Sequence, residues 1–555
     1  MRVKSITRIA IPLTTAAIVL AACSSGGGGG GSSASGSASG SGASGLSLVD
    51  LTPPATAQID KVTWNLWEGE PYTTDPYTSA DYKENTVNSN MCETLMIYDP
   101  SYQFKPWLAK AFSNPDPLTW VYDLRDDVTF WDGSKMTTDD VVFSMNKNLT
   151  DATSFYHYLY SNVKSVTATG ANQVTVKLSA PDYLFNREMA DYAGVVVQKK
   201  FYEAHVKDVG SPDVGVMCTG PFQFTSWTKG DNLTLTRYDG WWNKEQTPKV
   251  KSLVFKFLTD EAAITAALQT GEIDGSYDPP LSGLSQLATN TTGKLFYGSM
   301  PSNVTCTYTN PTGPMANPKM RLALQNAIDW NGIAKVVFKD TAVPIKAELP
   351  PTTFDDAKAQ LEPAYAALPA NGTPDIAKAK ALVAEAGADA QKPVIIGTIA
   401  SATGSAFGNA VVDGAKKAGI NATLKVIPVD QYTNYLYDPK TREGVDMLFT
   451  DFWSNIPNAL DWMGTTSTKG ASFNQWGYSG IDSLYLQARA EKDDTKRGQL
   501  TADMMNKLAG ENLTMGNGLQ RASRLWMNNK ITGAPATFTY VYAPWAQYLG
   551  GTGAN

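Results

Sequence analysis

Apolar and polar residues alternate in several short segments, and this two-residue period predicts β-strands. The segments are KVTWNLWEGEP from Lys61, ANQVTVKLSAP from Ala171, DNLTLTRYDG from Asp231 and VKSLVFKFL from Val250. Asn, Asp, Gly and Pro, which favour turns, bound the second and third of them. The first strand is expected to end at Pro71.

A second group of segments places apolar residues at helical spacing. NPKMRLALQNAIDWNGIAKVVF predicts a helix with Asn317 as its N-cap and Pro318 at its first position. TPDIAKAKALVAEAG predicts a helix capped by Thr373, with Gly387 just past its end. GIDSLYLQARAEKDDTKRGQLTADMMNKLAGE predicts two helices that separate near Asp493–Asp494. Strands and helices mix without strict βαβ alternation, which favours α/β lobes whose sheets draw on distant parts of the chain.

The segment LRDDVTFWDGSKMTTDDVVFSM, residues 124–145, concentrates aspartates around one glycine. Asp132–Gly133 is typical of a turn, and Thr137 or Thr138 is expected to cap a helix whose first turn contains Asp139–Asp140. A calcium loop requires a different spacing of carboxylates, so no metal site is expected. A catalytic pair of carboxylates is the alternative, but each of these aspartates has a plain structural role.

The N-terminal residues predict a targeting signal. Arg2, Lys4 and Arg8 precede a short apolar stretch that ends in Leu-Ala-Ala-Cys at Cys23, a pattern typical of a secretory signal. Leu-Ala-Ala-Cys resembles the lipobox of bacterial lipoproteins, which implies cleavage after residue 22 and lipidation of Cys23. The alternative is an ordinary signal peptide with an incidental cysteine. Residues 24–45 are almost entirely Gly, Ser and Ala and predict a flexible tether.

Composition limits the possible functions. The formal net charge is −7, so nucleic acid is not an expected partner. The sequence has 2 histidines, which disfavours many hydrolases and metalloenzymes, whereas 14 tryptophans and 25 tyrosines suit a half-wet binding cleft. The folded part has no G-x-S-x-G elbow and no P-loop. We expect no catalytic residues, no metal and no cofactor.

A series of motifs resembles bacterial extracellular solute-binding protein family 5, the receptors of peptide/nickel-type ABC importers. Its core pattern is matched by Pro106-Trp107-Leu108-Ala109, Tyr122, Leu124-Arg125, Val128, Phe130, Asp132-Gly133, Thr137, Asp140-Val141 and Ser144. EPYTTDP at Glu70, CTGPFQFTSW at Cys218, TGEIDG at Thr270 and NPKMRLALQNAID at Asn317 follow in family order. The resemblance extends from Val62 almost to the C-terminus.

This resemblance implies an α/β, two-lobed fold of the periplasmic-binding-protein type II-like kind, with an accessory subdomain and a ligand cleft between the lobes. We expect a signal peptide at 1–22, a lipidated Cys23 and tether at 23–56, lobe I at 57–90, 211–300 and 521–555, an accessory subdomain of lobe I at 91–210, and lobe II at 301–520. By the same resemblance, ligand binding closes the lobes and the closed form is presented to the permease. The receptor is expected to be an extracytoplasmic, lipid-anchored monomer and not an enzyme.

Ligand contacts are expected where strands pass into loops at the lobe boundary. The candidates are Trp67, Glu68, Tyr72, Phe155, Tyr156, Asp451, Phe452 and Trp453. Core packing is the alternative for each of them. Oligopeptide receptors of the family hold the ligand's amine with an aspartate, but that position falls on Trp453 here, and Asp451 is the nearest acid. The resemblance implies a peptide or peptide-like ligand, with an oligosaccharide, an opine or a nickel chelate as the alternatives. A secreted hydrolase and a purely adhesive lipoprotein are the competing classes.

Three cysteines follow Cys23, namely Cys92, Cys218 and Cys306. A disulfide is plausible outside the cytoplasm. Within the family pattern, Cys92 and Cys218 both replace other residues inside motifs of lobe I and its border, which favours Cys92–Cys218. The sequence leaves the connectivity open, and the cysteine spacing does not suit a zinc site.

Overall fold

The computed structural model describes residues 45–78, 81–438, 440–511 and 514–553. Its strands, in chain order, are β1 (Ile59–Asn65), β2 (Met96–Tyr98), β3 (Phe104–Pro106), β4 (Ala109–Asp116), β5 (Thr119–Leu124), β6 (Val163–Gly170), β7 (Gln173–Leu178), β8 (Phe222–Thr228), β9 (Asn232–Arg237), β10 (Val250–Lys256), β11 (Gly275–Tyr277), β12 (Gly293–Gly298), β13 (Ser302–Tyr308), β14 (Ala342–Pro344), β15 (Val394–Ile399), β16 (Ala422–Ile427), β17 (Met447–Trp453), β18 (Leu519–Arg521), β19 (Ser523–Asn528), β20 (Ile531–Thr532) and β21 (Gly550–Gly551).

The α-helices are α1 (Tyr82–Asn88), α2 (Thr138–Thr150), α3 (Phe185–Glu188), α4 (Lys199–Ala204), α5 (Glu261–Thr270), α6 (Leu284–Thr289), α7 (Pro318–Ala327), α8 (Trp330–Val336), α9 (Lys358–Ala367), α10 (Ile376–Glu385), α11 (Ala402–Lys417), α12 (Val429–Tyr437), α13 (Ala459–Thr466), α14 (Asp482–Ala490) and α15 (Asp494–Glu511). Single-turn 3₁₀ helices connect several of these elements. None of the helices in the described part of the chain is long and apolar enough to cross a bilayer.

Lobe I is built on a seven-stranded sheet with the order β12-β19-β11-β1-β10-β9-β8. The central β1 pairs in parallel with both β10 and β11. It alternates as the sequence predicts, with Val62 and Trp64 fully buried. It ends at Asn65, well before the predicted Pro71, because the chain turns where the Gly69 N–H donates to the Leu66 carbonyl at 2.9 Å.

The aspartate-rich segment belongs to the accessory subdomain, which contains the four-stranded sheet β4-β5-β7-β6. Gly133 adopts a φ of +82° in the predicted turn, a conformation that favours glycine. Thr137 is the N-cap of α2, and its N–H and hydroxyl donate to Asp140 at 2.9 and 2.6 Å. This capping box confirms the structural role of the segment and selects Thr137 over Thr138.

Lobe II is built on a six-stranded sheet with the order β14-β18-β13-β17-β15-β16. The helix predicted from Asn317 is interrupted, because α7 ends at Ala327 and Asp329 caps α8 by accepting from the Gly332 N–H at 2.9 Å. Asp375, and not the predicted Thr373, caps α10 through the Lys378 N–H. The predicted separation of α14 from α15 is confirmed.

Two short connections join the two large sheets. Residues 299–301 lead from β12 to β13, and Ala522 leads from β18 to β19. The connections are hydrogen-bonded to each other, since Gln520 Nε2 donates to the Met300 carbonyl at 2.8 Å and the Arg521 N–H donates to Ser302 Oγ at 3.3 Å. The described sheets are therefore linked at one narrow place. The predicted domain boundaries themselves stay a prediction.

The disulfide Cys92–Cys218, the pair favoured from the sequence, joins the accessory subdomain to lobe I with its Cα atoms 5.0 Å apart. It closes a loop with a sequence separation of 126, for which chain entropy alone contributes about 5 kcal/mol. Cys306 is a buried free thiol in β13. Beside the disulfide, Glu93 accepts from three indoles, those of Trp107, Trp241 and Trp242.

The N-terminal part of the described chain lies along lobe I. Leu48, Leu51 and Ala57 form isolated bridges with Tyr297, Pro535 and Gly551, respectively. Backbone pairing with lobe I therefore begins by residue 48, before residue 56, where the tether is predicted to end. The predicted signal, Cys23 and the Gly/Ser run lie outside the described residues.

Candidate functional site

A cavity of about 500 Å³ lies between lobe I and lobe II, a volume typical of small-molecule sites. We call it the interlobe cavity. Lobe I contributes Asp81, Phe155 and Tyr158, and lobe II contributes Asp451, Phe452, Trp453, Ser454, Asn455, Asp461, Gly464, Thr465, Gly470, Ala471, Ser472 and Phe473. Both lobes are thus needed to complete its wall.

The interlobe cavity lies near the carboxyl ends of strands from both lobes. In lobe I, Trp67 follows the carboxyl end of the parallel strand β1, and in lobe II Trp453 is the last residue of β17, which pairs in parallel with β15. Ligand sites of open α/β sheets lie outside such ends. Tyr82 connects the two sides, with ring centroids 5.4 Å from Trp67 and 4.9 Å from Trp453.

A buried ion network lies next to the aromatic contact that Tyr82 makes with Trp67 and Trp453. Arg521 donates from Nε to Asp451 Oδ2 at 2.6 Å and from Nη1 to Asp278 at 3.0 Å. Arg524 also reaches Asp278, at 3.1 Å. Asp278 follows β11 of lobe I and Asp451 lies in β17 of lobe II. Arg521 therefore joins the two lobes at the crossover, the place where residues 299–301 and Ala522 connect the large sheets. Burial raises the pKa of Asp451, and Arg521 opposes that rise.

A second set of polar contacts crosses between the accessory subdomain and lobe II. Arg489 binds Asp182, with Nε 2.9 Å from Oδ1, and also reaches Glu188 at 3.3 Å. Asn455 donates to Asp191 Oδ2 at 2.8 Å. These contacts hold the two sides of the interlobe cavity together.

Carboxyl groups around the cavity are poorly hydrated. Burial raises the pKa of Asp191 to about 7 and that of Asp461 to about 6. The Asp461 side chain accepts from Ser454 Oγ at 2.6 Å, which opposes the rise. Glu68 retains accessible surface but is crowded by protein atoms, and this desolvation, with the charge of Asp81 next, raises its pKa to about 8.

The predicted site residues divide into three groups. Phe155, Asp451, Phe452 and Trp453 line the interlobe cavity. Trp67 and Glu68 do not line it, although the Trp67 ring contacts Tyr82, which in turn contacts the lining Trp453.

The structure places Tyr72 and Tyr156 elsewhere. Tyr72 is 79% exposed, and Lys83 lies over its ring at 3.7 Å. Tyr156 is fully buried in the core beside Tyr192, because consecutive residues of the aromatic segment SFYHYLY, residues 154–160, point in different directions. Neither residue lines the interlobe cavity, and their role as ligand contacts stays a prediction.

Tyr158, Asp81, Asp461 and Phe473 line the cavity and were not predicted from the sequence. Tyr158 belongs to the same aromatic run as Phe155, so the run indicated the region but not the residue. Asp81, Asp461 and Phe473 carry no local signal, because the fold brings them together from distant parts of the chain.

A larger cavity of about 830 Å³ lies by the crossover connections and is lined in part by Leu46, Tyr102, Phe354 and Gln520. It contains none of the predicted ligand contacts. The interlobe cavity is the better candidate, because the strand ends meet there. Among the described residues, no group of three or more His, Cys, Asp or Glu side chains is arranged to hold a metal ion.

Comparison with known proteins agrees with this geometry. The family profile for bacterial extracellular solute-binding proteins, family 5 Middle, matches residues 103–474, more than half of the chain. The chain belongs to this family, whose members are extracytoplasmic solute-binding receptors of ABC importers. Glutathione-binding protein GsiB of Salmonella typhi is 27% identical over 470 residues, covering 84% of this chain and 88% of GsiB.

Solved structures show the same two-lobed fold. DppA of Helicobacter pylori in complex with the peptide STSA has a TM-score of 0.74 and 18% identity, covering 89% of this chain and 98% of DppA. NikA of Staphylococcus aureus in complex with Ni(L-His)2 has a TM-score of 0.71 and 19% identity, covering 87% of this chain and 98% of NikA. The fold therefore accommodates chemically different solutes.

Replacing Arg521 tests the ion network. Arg521→Met leaves Asp278 and Asp451 buried without their shared cation, and we expect a loss of about 3–5 kcal/mol in unfolding free energy, measured by urea denaturation. Lys251→Gln removes an exposed ion pair with Asp60 and serves as the control, with no measurable loss expected. Equal stability of the two variants would contradict the role of Arg521.

The buried carboxyls predict a pH dependence. Asp191 and Asp461 hold protons in the folded protein up to about pH 7 and 6, whereas unfolded aspartate loses its proton near pH 4. The folded state therefore binds more protons in this window. Stability contributed by these groups is complete below about pH 4 and is lost as the pH rises through 6 and 7, by at most about 1.4 kcal/mol per pH unit for each group.

We expect the thermal midpoint to fall between pH 5 and pH 8 by this mechanism. The double variant Asp191→Asn with Asp461→Asn should flatten that fall, whereas Asp213→Asn, at an exposed position, should leave it unchanged. Circular dichroism at both pH values verifies folding. An unchanged slope in the double variant contradicts the assignment.

Proposed function

We propose that this protein captures a peptide or peptide-like solute in the interlobe cavity and delivers it to the permease of an ABC importer. The observation that carries the proposal is a cavity with aromatic and carboxylate walls that is completed only when lobe I and lobe II meet. A solute that bridges the two walls stabilises their apposition, which couples binding to lobe closure.

The crossover supports closure as a hinge motion. Residues 299–301 and Ala522 are the short connections between the large sheets, and bending there moves one lobe against the other. The cross-lobe contacts of Arg489 and Asn455 lie away from these connections in sequence and are the contacts that opening breaks. Closed and open forms therefore differ by a small set of polar contacts.

The polar groups of the cavity favour binding over catalysis. A glycosidase needs two carboxyl groups flanking the scissile bond. Asp451 is engaged by Arg521, and Asp461 is engaged by Ser454. Neither histidine lines the cavity, since His157 contacts the Asn148 carbonyl and His205 contacts Asp208. This arrangement supports a receptor that releases its solute unchanged.

Cleavage before Cys23 and lipidation of its thiol would tether the folded head to the outer face of the cell membrane. The sequence around Cys23 and the Gly/Ser run after it support this part of the proposal. Cys23→Ser should move the protein from the membrane fraction to the soluble extracytoplasmic fraction and abolish incorporation of labelled fatty acid. Ser24→Ala is the control that keeps both. Unchanged membrane association in Cys23→Ser contradicts the anchor.

Calorimetry against a mixture of short peptides tests the central proposal on the head without residues 1–44. We expect saturable binding without turnover. Trp453→Ala removes a cavity wall and should weaken binding by about 30-fold or more, as expected for a central aromatic contact. Tyr72→Ala, whose ring lies outside the cavity, is the control and should change affinity less than about twofold.

Mass spectrometry of the recovered peptides measures turnover in the same experiment. Cleaved peptides contradict the receptor function. Binding of a saccharide or a nickel chelate, with no binding of any peptide, contradicts the peptide assignment and leaves the family assignment intact. Equal losses in Trp453→Ala and Tyr72→Ala contradict the choice of cavity.

A further inference from the structure

The charged side chains in the wall of the interlobe cavity have one sign. Asp81, Asp451 and Asp461 line it, and among its described lining residues there is no Lys, Arg or His. Lys469, which precedes the lining Gly470, is exposed and is not part of the wall. The cavity therefore presents negative charge to its occupant.

The buried arginines nearest the cavity do not offset this charge, because carboxylates match them. Arg521 and Arg524 meet Asp278 and Asp451, and Arg489 meets Asp182 and Glu188. Charges paired in this way contribute little net field at the cavity, so the remaining wall carboxylates dominate it.

One acceptor in the wall has no donor. Asp451 uses Oδ2 to bind Arg521, but Oδ1 is buried and has no hydrogen-bond partner among the described residues. Buried acceptors are normally satisfied, so an orphaned carboxylate oxygen beside a cavity indicates a donor supplied by the occupant. Asp191 adds a further carboxylate directly behind the lining Asn455.

The rest of the wall is aromatic. Phe155 and Tyr158 are about half exposed at the lobe I side, and Phe452, Trp453 and Phe473 face them from lobe II. Aromatic faces bind apolar side chains and also attract cations. The two parts of the wall together suit an occupant with an apolar body and a positively charged group.

We infer that the interlobe cavity selects a cationic peptide-like solute, whose ammonium or guanidinium group is held by Asp81, Asp451 and Asp461 and whose apolar side chain packs on the aromatic wall. This inference rests on the proposed function and specifies its ligand class. A carboxylate finds no cationic partner in the described wall. Glutathione, which the GsiB relatives are named for binding, carries two carboxylates and one amine and is therefore a poor match.

A matched series of dipeptides tests the charge selection by calorimetry on the head without residues 1–44. The probes are Phe-Lys amide, Phe-Ala amide, Phe-Ala and Phe-Glu, which are dicationic, monocationic, zwitterionic and anionic, together with glutathione. We expect affinity to rise about tenfold with each added positive charge at low salt, and the difference to shrink at high salt because screening weakens it. Glutathione should bind no better than Phe-Glu.

Two variants identify the carboxylates. Asp461→Asn, from lobe II, and Asp81→Asn, from lobe I, should each reduce the preference for Phe-Lys amide over Phe-Ala by about fivefold or more while changing Phe-Ala affinity by less than about threefold. Asp213→Asn is the exposed control. Because Asp81 is exposed, its variant tests the inference even if the Asp461 variant folds poorly.

The outcomes separate the inference from the proposed function. Equal affinity for all four dipeptides, or tightest binding of Phe-Glu or glutathione, overturns the charge selection and leaves peptide binding standing. Binding of none of the dipeptides, and of nothing in the short-peptide mixture, overturns both. A charge preference that survives in both variants overturns the role of the two aspartates.

Discussion

The arrangement of the molecule depends on the ion network centred on Arg521. This arginine lies at the end of β18, at the crossover between the large sheets, and binds a carboxylate from each lobe. A guanidinium group is suited to this position because its rigid fork donates in several directions at once. Two carboxylates and one buried arginine are costly to separate from water, so the network is stable only when all three side chains are in place. The buried ion network therefore fixes the position of β17 relative to β11.

That constraint explains where the cavity lies. With Asp451 held by Arg521, Trp453 at the end of β17 packs on Tyr82 of lobe I, whereas Phe452 packs on Trp462 and Phe473 within lobe II. Tyr82 meets Trp453 and is itself contacted by Arg521 Nη2 at 3.2 Å from its hydroxyl. The ion network and the aromatic contact thus share residues. The lobe II wall is therefore held from behind by the ion network, and lobe I completes the cavity from the other side. This arrangement is expected of a site that is completed by lobe closure.

Much of the fold follows from local sequence. The capped helix start at Thr137 or Thr138, the turn at Gly133 and the separation of α14 from α15 were predicted, because each depends on residues close in the chain. The break between α7 and α8 was not, because Asp329 begins a new helix inside an uninterrupted apolar pattern. The candidate site was predicted in part: Phe155 and the Asp451–Trp453 run line the cavity, whereas Tyr156 does not. Asp81 and Asp461 became visible only in three dimensions, since residues far apart in sequence define that wall.

The cysteines have a practical consequence. Cys92 and Cys218 are joined in a disulfide, and burial raises the pKa of the Cys306 thiol to about 12, which leaves it protonated and shielded. Within the described chain, no cysteine therefore competes for a thiol-reactive dye under mild conditions. A cysteine introduced on the outer surface of each lobe is then labelled selectively, and the distance between the two dyes becomes an optical readout of lobe closure. The chemistry of this fold thus makes the head a ready scaffold for a fluorescent solute sensor.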